Sequence, residues 1–231
     1  MKIRSAAAVS VLVFLLATPY WGWKATWTET FDKTLEEATY RMGTEDEIVP
    51  AGGNPGAFLH DPAAVTAQPT ISRWTGSGGL PIGAFRLIGV SGLGIDVNVF
   101  SASLGVDGRP VSLVLHSNMN TPADPLDVCE AIFVGKKLQR EGTGWKTYTY
   151  HVPTFSLSLP NGWVLRGTCG GLPPDAAWQR ILNQVDQVRF HLGDPRASYP
   201  MQVWDIGVDN PTVYMFKGTG PSAVSVSVIP D

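Results

Sequence analysis

Hydrophobic and polar residues alternate along most of the chain, which is the pattern of half-buried β-strands rather than of helices. In Ile95–Val99 and in Val111–Leu115, apolar side chains occupy every second position. Clusters of Gly, Pro, Asn and Asp separate these runs, as turns do in sandwiches and barrels. The strand pattern recurs at 131–134, 146–152, 185–191, 201–206 and 224–228. The chain is therefore predicted to be all-β.

One segment has a helical pattern instead. Trp178, Ile181 and Leu182 are spaced so that they lie on one face of a short helix over 176–183. Asp175 precedes this segment and suits an N-cap or the first helical turn. We expect the apolar face of this helix to cover one end of the sandwich.

The composition fits a single folded domain. Hydrophobic residues make up 44% of the 231 positions, which is enough for a core, whereas charged residues make up only 16%. The net charge is -3, and the sequence has no run of Lys and Arg. Nucleic-acid binding is therefore not expected, because phosphates are bound by a basic stripe.

The first residues look like an export signal. Lys2 and Arg4 precede an apolar stretch with no charge, as in a secretory signal peptide, here assigned to 1–25. The alternative is an uncleaved anchor whose aromatic end lies at the membrane interface. With either reading, the domain at 26–215 is secreted, periplasmic or extracellular, and it meets a membrane only if the leader is uncleaved. The last segment, 216–231, is a terminal strand or a loose extension.

Two cysteines, Cys129 and Cys169, are present in the whole sequence. In an oxidising compartment, two cysteines of one domain usually pair. Closing a loop of this length stabilises the folded state by about 4 kcal/mol on the chain-entropy model. We predict a monomeric, disulfide-linked domain; the alternative is two buried free thiols.

The sequence contains no signature of catalysis. The four histidines are far apart, and no serine lies in a G-x-S-x-G motif. Glycoside hydrolysis needs two carboxylates, for which 45–47 and the pair Asp205 and Asp209 are the candidates. Adjacent carboxylates in a loop are more typical of solvation, so a non-enzymatic protein is predicted, with a hydrolase or lyase as the less favoured reading.

Several motifs occur in a recognisable order: a G-G-N-P-G motif within Asp46–Leu59, then Gly144–Tyr148, Trp163, Trp178–Val188 and Val208–Val213. With these motifs the chain resembles laminin IV-type (laminin B) domains, which are related to the galactose-binding-like jelly rolls of secreted carbohydrate-binding modules. The resemblance implies a two-sheet antiparallel jelly-roll sandwich with one short helix.

The resemblance also implies a structural Ca²⁺ where the first and last strands meet. The matching residues here are Glu29 or Asp32 near the start, and Asp209 near the end. Calcium prefers six to eight oxygen ligands, and carboxylates with loop carbonyls supply them. The alternative is that Asp32 and Asp209 are ordinary turn residues.

Three residues are the candidates for ligand contact. Trp74 lies beside a Gly- and Ser-rich stretch, and an exposed indole can stack on a sugar ring. Arg189 and His191 share a strand face opposite Val188 and Phe190, so they suit the polar face of a sheet. We therefore predict a binding module for an extracellular glycan or for a matrix or cell-surface protein. The alternative is a structural or protein-interaction domain with no small ligand.

The remaining tryptophans of the domain are assigned to structure. Trp145, Trp163 and Trp178 are expected in the core, since large aromatic side chains are mostly buried. Trp204 is expected to cap an edge of the sandwich.

Overall fold

The computed structural model describes residues 23–43, 45–74, 82–106, 108–120 and 126–216. The leader up to residue 22, the run at 224–228 and the tail beyond residue 216 lie outside the described residues. The elements in chain order are β1 Trp23–Thr28, β2 Glu47–Gly53, β3 Gly56–Thr66, β4 Thr70–Trp74, α1 Phe85–Ile88, β5 Val90–Ala102, β6 Pro110–Asn118, β7 Val128–Lys137, β8 Lys146–His151, β9 Trp163–Gly167, α2 Pro174–Asn183, β10 Gln187–Leu192 and β11 Gln202–Phe216.

Within this part of the chain, the strands form two antiparallel sheets. The first sheet has the order β2–β3–β11–β5–β8, and β1 pairs with the C-terminal half of β11, beyond the end of β3. The second sheet has the order β4–β10–β6–β7–β9. The all-β, two-sheet jelly-roll sandwich with one short helix is confirmed.

Strand β11 is the centre of the first sheet. The runs at 201–206 and 208–213 belong to this one strand, which continues through Pro211 to Phe216. Trp204 is fully buried on it, and its indole N–H donates to the carbonyl of Thr66. The expectation that Trp204 caps an edge was wrong, because β11 is flanked by β3 and β5 at this position.

The core lies between the inner faces of the sheets. On β10, Val188, Phe190 and Leu192 point into it, as the alternating pattern predicted. Tyr150 of the first sheet is also buried there, and its hydroxyl donates to the carbonyl of Val111 in the second sheet. Because this polar group is satisfied across the sandwich, burying it does not carry the cost of a lost hydrogen bond.

The helix α2 packs against the second sheet as the sequence predicted. Trp178, Ile181 and Leu182 are fully buried on its inner face. The ring of Trp178 lies 5.0 Å from that of Trp163, so both tryptophans are in the core, as expected. No helix in the described part of the chain is long and apolar enough to span a membrane.

The two cysteines form a disulfide, which confirms their predicted pairing. Cys129 lies on β7 and is fully buried, and Cys169 begins the short 3₁₀ turn Cys169–Gly171 that precedes α2. The bond therefore ties the segment that leads into the helix to an inner strand of the second sheet.

Candidate functional site

The outer face of the second sheet carries a row of polar residues that crosses all five strands. Residues directly opposite each other on paired strands share a face, with Cβ atoms about 5 Å apart. The register pairs Trp74 with Gln187, Gln187 with His116, His116 with Glu130, and Glu130 with Arg166. We call this set the polar row.

Next to the polar row, the pairing continues on the same face. Arg189 is opposite Ser72 on β4, and His191 is opposite Thr70 on β4 and Ser112 on β6. The predicted ligand contacts Trp74, Arg189 and His191 therefore fall on neighbouring positions of one face. The side chain of Trp74 lies outside the described part of the structure, so only its register position is given.

Glu130 is the centre of an ionic network on this face. One carboxylate oxygen accepts a hydrogen bond from Arg189 Nη2, and the other accepts one from Arg166 Nε at 2.6 Å. The imidazole of His116 lies beside Glu130 and Arg189, with its Nδ1 3.3 Å from Glu130 Oε1 and 3.1 Å from Arg189 Nη2. Arg166 also donates to the carbonyl of Pro195 at 2.7 Å, which fixes its guanidinium across the end of the row.

The charges of this network keep Glu130 ionised. Burial alone would raise the pKa of its carboxyl, because a low-dielectric environment disfavours the charged form. The hydrogen bonds and charges of His116, Arg189 and Arg166 outweigh burial and lower this pKa to about 2. Two guanidinium groups therefore share one carboxylate.

His191 is neutral at physiological pH. Burial, together with the positive charges of Arg189 and Arg166, lowers its pKa to about 4 despite the nearby negative charge of Glu130. Its Nδ1 lies 2.9 Å from the hydroxyl of Thr70. Among the described residues, its Nε2, Arg189 Nε and Ser112 Oγ are buried without a hydrogen-bond partner. Buried polar atoms normally have partners, so these three atoms leave hydrogen-bonding capacity unused on this face.

A second cluster lies on the outer face of the first sheet, around Asp209. The Asp209 carboxylate is fully buried and accepts the backbone N–H groups of Asn54 at 2.5 Å and Asn210 at 2.7 Å. Asp96 accepts the side-chain amides of the same two asparagines, at 3.2 and 2.9 Å. Burial, together with the negative charges of Asp96 and Asp32, outweighs the two backbone hydrogen bonds and raises the pKa of Asp209 to about 6. A cation would lower this charge repulsion.

Of the two N-terminal candidates for a calcium ligand, the structure brings Asp32 to Asp209 and leaves Glu29 apart. The buried carboxylate of Glu29 pairs with Lys33 at 2.8 Å and accepts the hydroxyl of Thr39 at 2.7 Å. Within the described residues, no group of three His, Cys, Asp or Glu side chains is arranged to hold a metal ion. The carboxylates and asparagine oxygens around Asp209 are nevertheless the ligand types that Ca²⁺ prefers.

An aromatic cluster covers the same outer face. Trp145 was expected in the core, but it is half-buried here, with its ring 5.2 Å from that of Phe58 and 6.4 Å from that of Phe100. The reason is Gly207 on β11, where a Cβ atom would lie 2.8 Å from the Trp145 ring. Beside these rings, His60 bonds Asp205 at 2.7 Å through Nε2 and Glu47 at 2.9 Å through Nδ1.

Sequence reasoning missed the central residues of the polar row. His116 and Glu130 each lie one residue outside a predicted strand, at 111–115 and at 131–134, and nothing local shows that these two strands are adjacent. Arg166 lies on β9, which the strand pattern did not single out. The pairing register is what assembles the row.

Comparisons with known proteins give structural likenesses at low identity. No family model matches the chain and no curated protein matches it, so the laminin IV-type resemblance is not confirmed. Similar folds occur in a xylan-binding domain from CBM22 (TM-score 0.33, 10% identity, 85% of this chain and 97% of that domain). They also occur in a CBM28 module specific for non-crystalline cellulose (TM-score 0.34, 12% identity, 82% and 94%).

A further likeness is to an exo-β-agarase, with a TM-score of 0.45, 9% identity and coverage of 84% of this chain. This chain spans a quarter of the length of the agarase, since the match covers 25% of that protein.

Proposed function

We propose that this protein is an exported, non-catalytic module that binds an extracellular glycan on the polar face of the second sheet. The observation that carries the proposal is the polar outer face of the second sheet, where Arg189, Arg166 and His116 converge on Glu130 and His191 lies beside Arg189 on the same face. Sugars offer many hydroxyl groups, each of which both donates and accepts hydrogen bonds. Such a ligand can satisfy donors and acceptors of mixed type at once.

The polar row provides the other requirements of glycan binding. The guanidinium groups of Arg166 and Arg189 are held in place by Glu130, so few side-chain rotamers must be fixed when a ligand binds. Trp74 pairs with Gln187 at the β4 end of the row, and a tryptophan at this position suits the stacking of a sugar ring. Rigid donors and one aromatic group together suit a neutral or weakly polar saccharide.

Binding without catalysis is supported by the state of Glu130. A general acid works best when its pKa is near the operating pH. The two arginines hold the pKa of Glu130 at about 2, so this carboxyl has no proton to donate at neutral pH. The disulfide supports a location in an oxidising compartment, outside the cytoplasm.

A glycan array with the folded domain, in calcium and in EDTA, tests the proposal. Arg189→Ala should abolish binding, since it removes the central donor of the face. Arg196→Ala is the matched control, because Arg196 pairs with Asp194 at the surface and should leave binding unchanged. Trp74→Ala tests the row without touching the ionic network. Equal glycan affinity in wild type, Arg189→Ala and Trp74→Ala would place the ligand elsewhere.

Contact with a matrix or cell-surface protein is the second candidate function. It is favoured by apolar side chains on the outer face of the first sheet, where Val65 is 68% exposed, its partner Val203 is 46% exposed and Phe100 is 38% exposed. Val203→Lys should then reduce adhesion to a matrix-coated surface without reducing glycan binding. Unchanged adhesion would remove this candidate.

We also propose that one Ca²⁺ binds beside Asp209 and Asp32, with backbone carbonyl and asparagine oxygens as its further ligands, and stabilises the fold. The support is the raised pKa of the buried Asp209 and the nearby negative charges of Asp96 and Asp32. When bound, the ion would neutralise this charge and so join the segment after β1 to the centre of β11.

A further inference from the structure

One end of the sandwich exposes large apolar side chains. At this end β11 finishes, β5 begins just after α1, and the loop between β8 and β9 starts. Leu87 of α1 is 86% exposed, and Phe155 and Leu157 of the loop are 53% and 68% exposed. We call the surface made by these three side chains the apolar end.

Contacts among the described residues hold the apolar end together. The ring of Phe155 lies 5.1 Å from that of Phe216, the last residue of β11. Gln179 of α2 joins the loop to α1. Its side-chain amide donates to the carbonyl of Leu157 at 2.7 Å and accepts from Arg86 of α1 at 3.4 Å. A contiguous exposed apolar surface of this kind marks a site of interaction.

The apolar end continues into a groove of about 340 Å³ between Phe155 and Phe216. Pro153 and Ser156 also line this groove, together with His151. Burial lowers the pKa of His151, so its imidazole is uncharged at neutral pH. The groove therefore presents an uncharged and mostly apolar surface, which fits hydrocarbon better than a sugar.

The chain enters the fold at this same end. β1 begins at Trp23, which pairs with Phe216. The sequence up to this point includes the uncharged stretch 5–23, whose length is close to the roughly 20 residues that span a bilayer. The leader is therefore attached beside the apolar end, and one lipid bilayer can receive both.

The pairing of β1 also bears on whether the leader is removed. The first three residues of β1, at 23–25, pair with 216, 215 and 214 of β11. They are half of the six residues of this strand. Removal of 1–25 would delete them and leave that part of β11 without its partner. The register therefore favours a leader that stays attached to the domain.

We infer that the uncleaved leader anchors this protein and that the apolar end rests on a phospholipid bilayer. Leu87, Phe155 and Leu157 enter the boundary between lipid headgroups and acyl chains, as the apolar side chains of interfacial segments do. Arg86 and Arg180 lie in the last turns of α1 and α2, where their guanidinium groups meet lipid phosphates. The partner is thus a lipid surface, reached by two separate parts of the chain.

The test places a polarity-sensitive dye on the full chain through Leu157→Cys or Met201→Cys, with each protein reconstituted in vesicles of phosphatidylcholine and phosphatidylglycerol. The native cysteines are joined in a disulfide and do not take up the dye. Met201 is the matched control: it is 62% exposed, but it precedes the start of β11, roughly 45 Å away for 15 extended residues. We expect the dye at 157 to shift to the blue and to lose most of its emission when the acyl chains carry a nitroxide quencher. The dye at 201 should show neither effect.

A second experiment keeps the dye at 157 and changes the surface around it. Leu87→Asp combined with Phe155→Asp should remove the quenching, because a carboxylate is costly in an apolar layer. Both side chains are exposed, so the melting temperature should stay close to that of the parent protein. Val65→Asp combined with Leu104→Asp changes two exposed apolar residues away from the apolar end, and it should leave the quenching intact.

Three results would overturn the inference. The first is equal behaviour of the dyes at 157 and 201 in vesicles. The second is an exported protein from which the leader has been removed. The third is a blue shift at 157 in detergent without vesicles, which would assign this end to contact between copies of the chain. Glycan binding on the second sheet is independent of these outcomes, because the dye reports contact with lipid alone.

Discussion

Replacing Glu130 with Gln should reduce stability in a way that depends on pH. The ordinary pKa of a glutamate is 4.5, and His116, Arg189 and Arg166 lower that of Glu130 to about 2 despite its burial. Since a pKa difference of one corresponds to about 1.4 kcal/mol, the ionised form stabilises the folded state by about 3 kcal/mol. A depressed folded-state pKa gives stability that is present above pH 4.5 and is lost as the pH falls towards 2.

The measurement is the free energy of unfolding by urea, for wild type and Glu130→Gln, at a series of pH values between neutrality and pH 2. The difference between the two proteins should be about 3 kcal/mol or more at neutral pH, because the variant also leaves two arginines without their carboxylate. This difference in the free energy of unfolding should become smaller as the pH falls below 4.5.

The control for this prediction is Asp194→Asn. Asp194 also has a lowered pKa, caused first by its hydrogen bonds from Arg196, but this pair is at the surface. Its loss should cost at most about 1 kcal/mol, as exposed ion pairs usually do. A difference between wild type and Glu130→Gln that stays constant from neutral pH to pH 2 would refute the electrostatic reasoning and point to lost packing alone.

Three further predictions concern the framework. Melting temperature should rise in calcium relative to EDTA, and Asp209→Asn should remove this rise; identical melting of the wild type in both buffers, with no metal found by elemental analysis, would rule out the calcium site. Replacing Cys129 and Cys169 with Ala should cost about 4 kcal/mol for a closed loop of 40 residues, or roughly 10 °C in melting, and a loss under about 1 kcal/mol would show that the chain-entropy argument does not hold. Burial lowers the pKa of His60, but the hydrogen bonds that it donates to the carboxylates of Asp205 and Glu47 raise this pKa overall. The stability of wild type relative to His60→Gln should therefore be highest below pH 6.5 and fall as the pH rises; a difference that grows with pH would contradict this.

The inner strands were predictable from the sequence because the two faces of each strand have different environments. β5, β6, β7, β10 and the first half of β11 have one face in the core and another that is polar or partly exposed, so alternation identifies them. The helix α2 was predictable because it too has one buried and one exposed face, with its apolar residues at helical spacing instead of at every second position.

The strands β2 and β3 were not predicted as strands, and their sequences show why. β2 contains Pro50, Gly52 and Gly53, and β3 contains Pro62, which are residues of turns and loops in most contexts. Proline is tolerated in a strand at the edge of a sheet or at a bulge, where its missing N–H breaks no ladder. Here β2 is an edge strand, so a segment whose composition indicates a turn or loop forms a strand.

The candidate site was only partly predictable because it is built by register. Arg189 and His191 were found from alternation within one strand. Glu130, which holds Arg189 in place, lies 59 residues away in the sequence, two strands across the sheet. No periodicity within one segment reports which strands are neighbours. The tryptophans show the same limit. Trp145 packs over Gly207 of β11 in the surface cluster, whereas Trp204 is buried at a central position of the sheet. Neither environment can be read from the neighbouring residues in the sequence.

Three of the motifs that carry the family resemblance have a structural role in this molecule, and these three lie away from the proposed ligand face. Asn54 donates to Asp209 through its backbone, and Asn210 donates its side-chain amide to the carbonyl of Asn54. Trp145 donates to the carbonyl of Gly52 at 2.8 Å. Three motifs that are far apart in the sequence therefore meet on the outer face of the first sheet, where they fix the β2–β3 turn onto β11. The polar row, by contrast, is on the second sheet. It follows that substitutions in these motifs should change melting while leaving ligand preference intact, whereas substitutions in the polar row should change ligand preference. A resemblance carried by the motifs thus bears on the fold, and the ligand must be inferred from the residues of the other sheet.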